Sequence, residues 1–96
     1  MSAFFVFQNL GVVDARLFES YKELVPGTVA QFRGRYRVRG GLVEPVEGSM
    51  SLTAPVMIEF PTLAAARAWY GSDVYRPLRQ MRMRAIRSTG VLVEGL

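Results

Sequence analysis

Residues 33–41 read RGRYRVRGG. From Arg35 to Arg39 charged and apolar side chains alternate strictly, the period-two pattern of a strand with one charged and one apolar face. Gly40-Gly41 then predicts a tight turn into a short strand, Leu42–Val46, whose Pro45 belongs on an edge. Upstream, Gly34 ends a helical stripe of Leu17, Phe18, Tyr21, Leu24, Val25, Val29 and Phe32, with Asp14 placed to cap its start. Pro26-Gly27 predicts a break there, with Pro26 opening a second short segment. Before it, Ala3–Leu10 (AFFVFQNL) is aromatic and β-branched and has the length of a strand. Downstream, Glu47–Thr53 reads as a polar loop and Val56–Phe60 (VMIEF) as a strand stopped by Pro61. Thr62 caps a helix over Leu63–Tyr70, Ser72 caps another from Asp73 to about Arg84, and Gly90–Glu94 is a last strand.

The order is β-α-β-(β)-β-α-α-β, an α+β ferredoxin-like pattern with an added β-hairpin. Such a sheet carries its helices on one face. The other face of so small a protein is expected to be covered by a second copy of the chain, making a homodimer. Ninety-six residues, half of them hydrophobic, suit one domain spanning 1–96. No linker, low-complexity tract or repeat divides them.

The chain has no Cys and no His. That excludes disulfides, thiolate metal sites and a cysteine nucleophile, and it removes the commonest general base and metal ligand. No phosphate-cradling loop, dinucleotide fingerprint or nucleophile elbow is present. No cofactor and no metal are expected. The net charge of +4 comes from eleven Arg and one Lys, Lys22, against eight acids. Guanidinium groups favour planar, forked recognition of carboxylate or phosphate. No apolar run approaches the roughly 20 residues of a membrane span. The short N-terminal apolar run lacks a basic leader, so the expected location is the cytoplasm.

Period two places Arg35, Arg37 and Arg39 on one strand face at about 7 Å spacing, with Tyr36 and Val38 turned toward the helices. In ferredoxin-like order the neighbouring strand carries Glu59, which can pair with one guanidinium and leave positive charge for a ligand's carboxylate. The same residues could instead form an arginine–glutamate network that ties a dimer together. Tyr75 and Arg82, seven apart on the last helix, could close the rim of such a site. The favoured reading has Tyr75 partly in the core and Arg82 paired to a nearby acid. Glu59 is the leading strand-borne candidate base, though a carboxylate beneath guanidinium groups is a weak one, and Glu94 in the last strand is the alternative. Trp69 and Tyr70 read as core anchors. Arg33-Gly34-Arg35-Tyr36 shares letters with an RNA-recognition motif but sits in the wrong strand for it, so nucleic acid is not the expected partner.

Several strings together, RGRYRVRGG at 33–41, EG at 47–48, IEFP at 58–61, ARAWYGSDVY at 66–75 and VLVEG at 91–95, resemble the bacterial family called domain of unknown function 1330. The resemblance covers nearly the whole chain. It implies a dimeric α+β barrel, in which two ferredoxin-like sheets face each other. It picks out Arg35, Arg39, Gly40, Gly41, Glu59, Tyr75 and Arg82, while Arg37 stands where the family more often has an apolar residue. Relatives in the wider superfamily include cofactor-independent monooxygenases, lactone isomerases, haem-dependent chlorite dismutases and amino-acid-sensing domains. The haem branch is excluded by the absence of histidine. The expectation is therefore a homodimer binding an acidic or polar small molecule in an arginine-lined cavity on the open sheet face. The candidate ligand-binding residues are Arg35, Arg37, Arg39, Glu59, Tyr75 and Arg82. By resemblance, a cofactor-independent oxygenase or isomerase activity is open. The alternatives are a structural or regulatory dimer and a weak RNA binder.

Overall fold

The computed structural model describes residues 1–96. Its elements are β1 (Ala3–Val12), α1 (Ala15–Gln31), β2 (Arg35–Arg39), β3 (Pro55–Phe60), α2 (Leu63–Tyr70), α3 (Arg76–Ala85) and β4 (Ile86–Glu94). The strands form one antiparallel sheet in the order β2-β3-β1-β4, the expected ferredoxin-like arrangement. Strand parity decides what the sheet buries. Ala3, Phe5 and Phe7 of β1 and Ile58 and Phe60 of β3 face the helices and are buried, while Phe4, Val6, Met57 and Glu59 alternate onto the other face. Trp69 and Tyr75 are fully buried among these rings, with their own ring centroids 4.1 Å apart. No helix is long and apolar enough to cross a membrane.

The secondary-structure reading needs four corrections. First, α1 runs unbroken through Pro26. Proline removes one helical hydrogen bond, but Val25 just before it and Thr28 and Val29 just beyond it are buried, and Trp69 Nε1 donates to Thr28 Oγ1 at 3.0 Å. Tertiary anchoring outweighs the lost bond. Second, the added hairpin does not form: residues 41–54 contain no strand. Leu42 and Val46 are 91% and 86% exposed, so the segment has no apolar surface to pack on, and Pro45 lacks a ladder donor. Third, α3 starts at Arg76, three residues late, because Pro77 has no N–H and fits only the first turn. Ser72 instead caps the preceding turn, accepting from the Tyr75 N–H at 3.2 Å. Fourth, β4 starts at Ile86, four residues earlier than expected, and Ile86–Ser88 pair along the end of β1.

Gly34 has a packing role. A Cβ there would lie 2.6 Å from Val29 Cγ1 and 2.7 Å from the Phe60 ring, so only glycine lets α1 turn this closely into β2.

Candidate functional site

The register of β2 divides the arginine row. Arg35 lies opposite Glu59 and Tyr36 opposite Ile58, but Val38 then falls opposite Met57 and Arg39 opposite Val56. Arg37 is thus the extra residue of a β-bulge, and a one-residue slip transfers every later side chain to the other face. Arg35 stays on the open face, Val38 joins it there, and Arg39 turns to the helix side. The expectation of three arginines on one face is corrected by this bulge. Arg37 pairs with Glu59, Nε to Oε1 at 2.7 Å, with half of the Arg37 side chain in solvent. Arg33, Arg35, Arg37 and Glu59 border a shallow depression beside Pro61.

A larger cavity of about 350 Å³ lies on the other side of the sheet. α1 packs on α3, and the cavity lies between α1 and the β2–β3 half of the sheet. Phe18, Tyr21, Val25 and Pro26 of α1 form its roof. Phe7, Val56, Ile58 and Tyr36 form its floor. Gly40 and Ala54, at opposite ends of the 41–54 loop, border it and hold left-handed backbone (φ 75° and 44°). Three cations reach the cavity: Lys22, Arg39 and Arg82. No carboxylate lines it.

Arg82 is the unusual one. Leu78, Arg82 and Ala85 are the buried stripe of α3, so a guanidinium occupies a core position with only 7% of its surface exposed. Its side-chain hydrogen bond goes from Nη2 to Asn9 Oδ1 at 3.1 Å, and its charge lies 4.3 Å above the Phe7 ring. Neither group is an anion, whereas buried charges are ordinarily paired. No buried nitrogen is sealed off without a partner, so its remaining N–H groups keep some exposure, and Arg82 is among the residues that line the cavity. Phe7 is held beneath it by Gly90, its register partner, where a Cβ would collide with the ring. At the rim, Arg39 stacks on Tyr36 at 4.4 Å, and Lys22 pairs with Glu19 at 2.7 Å.

The site's phenols are held neutral. Burial pushes Tyr36 up to about 12, and burial also raises Tyr21 and Tyr75, which share a hydrogen bond, Oη to Oη, at 3.0 Å. These groups donate or accept hydrogen bonds but remove no proton near neutral pH. The arrangement therefore offers guanidinium, ammonium and phenol donors around an apolar interior, a setting suited to an organic anion. No three carboxylates gather into a metal site.

The six expected residues fall into three places. Arg39 and Arg82 both line the helix-side cavity. Arg35, Arg37 and Glu59 lie around the depression across the sheet. Tyr75 lies in the core rather than at a rim, 0% exposed, and reaches the cavity only through Tyr21. Tyr21 and Asn9 are cavity residues beyond the expected set. Asn9 carried a usable signal, since it continues the buried parity of Ala3, Phe5 and Phe7 with a polar side chain. Tyr21 sits on an apolar helical stripe and gave none.

The chain belongs to the family described as domain of unknown function DUF1330, whose pattern matches residues 2–96. Among solved structures it is similar to a protein of unknown function from Rhodopseudomonas palustris, at 16% identity and TM-score 0.75 over 99% of this chain and 82% of that one. A dimeric protein of unknown function with a ferredoxin-like fold from Bacteroides fragilis matches at 10% identity and TM-score 0.61, over 98% and 96% of the two chains. SnoaB, a cofactor-independent oxygenase from Streptomyces nogalater, matches at 18% identity and TM-score 0.60, over 99% and 93%. At these identities the likeness is one of fold. No curated protein matches in sequence.

Proposed function

We propose that this protein binds a small organic acid in the helix-side cavity, its carboxylate against Arg82 and Arg39 and its apolar or aromatic body under α1. The observation that carries this reading is Arg82, a buried guanidinium without a carboxylate partner that borders a mainly apolar cavity. An arriving anion would supply the missing counter-charge. The volume of about 350 Å³ is at the small end of ligand pockets, the range of a single-ring acid. A thermal-shift panel tests it with phenylacetate, the neutral phenylacetamide, succinate and glycerol phosphate. Phenylacetate at a hundred times its Kd should stabilise by about 2.7 kcal/mol, several degrees for a domain of this size. Phenylacetamide should not. Equal shifts for the acid and the amide would overturn the reading.

The fold likeness to a cofactor-independent oxygenase motivates a catalytic extension. With no carboxylate or imidazole at the cavity wall, such chemistry would use a substrate that arrives as its anion or ionises against the guanidinium groups. Incubating stabilising acids with oxygen and following dioxygen uptake tests this extension.

The same reading includes a homodimer. Phe4, Val6, Val38, Met57, Val91 and Val93 share the sheet face away from the helices, and Val91 and Val93 are 59% and 48% exposed. A second sheet is a natural cover for this apolar face, and the Bacteroides fragilis protein of similar fold is dimeric.

A further inference from the structure

We propose that Tyr75, which does not touch the cavity, orients the Tyr21 hydroxyl as a donor into it, so that the favoured acid carries a second, uncharged oxygen acceptor. This rests on the cavity reading above and adds a specificity rule to it. The two phenol oxygens are 3.0 Å apart, and either could donate to the other. Their surroundings break the tie. Tyr75 is completely buried, and its hydroxyl has Tyr21 Oη as its hydrogen-bond partner. If Tyr21 donated, the Tyr75 proton would be left in the core with no acceptor, a costly state. If Tyr75 donates, its proton has its acceptor, and Tyr21, 8% exposed and among the residues that line the cavity, is left free to turn its own proton toward it. Burial keeps both phenols protonated, so the arrangement persists across the neutral range.

The ligand consequence follows from counting donors. Arg82 and Arg39 hold a charged group. Tyr21 then adds an uncharged donor, which discriminates between acids of equal charge and size by whether they present an acceptor to it. A 2-oxo or similarly oxygenated aromatic acid meets that description.

Two measurements test the proposal. In protein labelled with carbon-13 at tyrosine Cζ, mixed H₂O and D₂O resolves slow hydroxyl exchange ring by ring. Tyr75 is expected to show the split, slowly exchanging signal, and Tyr21 an averaged one. A slowly exchanging Tyr21 would overturn the relay, whatever any ligand does. The second compares benzoylformate with phenylacetate, both ionised at neutral pH and differing by one carbonyl. Benzoylformate should bind about five- to tenfold tighter, the scale of one neutral hydrogen bond. The preference, read as the ratio of the two affinities within each variant, should vanish in Tyr21→Phe and shrink in Tyr75→Phe, whose ring keeps the packing. A preference that survives Tyr21→Phe would refute the specificity rule. Failure of both acids to bind the wild type would sink the cavity reading and with it the specificity rule, and the exchange measurement would still decide the direction of the hydrogen bond.

Discussion

Arg82 sets the demands of stability against those of the proposed binding function. At its place in the α3 stripe an apolar side chain would serve the core, and the guanidinium there has an amide and an aromatic face for company. That conflict is visible in the sequence once the helix phase is known, as is Asn9 on the buried parity of β1. Glu59 makes the opposite case. It pairs with a half-exposed Arg37 across the sheet from the cavity. Glu59→Gln should therefore cost less than about 1 kcal/mol by urea denaturation and leave acid binding unchanged. A loss of binding in that variant would move the site to the open face. The three neutral phenols give a pH prediction. Their folded pKa values are raised, so the stability they contribute is complete below their unfolded value near 10 and is lost as pH rises beyond it. Each adds a slope of up to about 1.4 kcal/mol per pH unit above pH 10. Urea midpoints should fall between pH 9 and 11.5, and less steeply in Tyr36→Phe; equal slopes in the two proteins would count against the assignment.

At the scale of elements, period and punctuation made most of the fold legible. β2 and α2 fall where alternation and the Thr62 cap place them, because a short strand and a short capped helix depend on local chemistry. The bulge at Arg37 was not legible. RYRVR alternates perfectly, and the slip arises only from pairing with β3, so it exists in no single segment. It is also what turns Arg39 to the cavity that Arg82 lines. Likewise Pro26 reads as a break until Thr28 and Val29 are seen anchored against Trp69 and the core. Gly34 is tested at this scale. Gly34→Ala pushes a methyl group into Val29 and Phe60, both essentially buried, and should destabilise by about 1–3 kcal/mol or more in denaturation. An unchanged midpoint would mean that the α1–β2 junction is looser than described.

For the whole molecule, the fold leaves two surfaces to account for: the gap under α1 and the apolar sheet face. The proposed pairing of sheets predicts that Val91→Asp shifts sedimentation from a dimer to a monomer at micromolar concentration. A monomeric wild type would remove the barrel. The most direct test of the central claim is Arg82→Met, read for both melting temperature and phenylacetate affinity. Removing a buried, unpaired cation in favour of an apolar side chain of similar length should hold or raise the melting temperature. Losing a charge-assisted hydrogen bond should weaken binding tenfold or more, about 1.5–3 kcal/mol. A variant that melts lower and still binds phenylacetate would contradict the account and make Arg82 a structural residue.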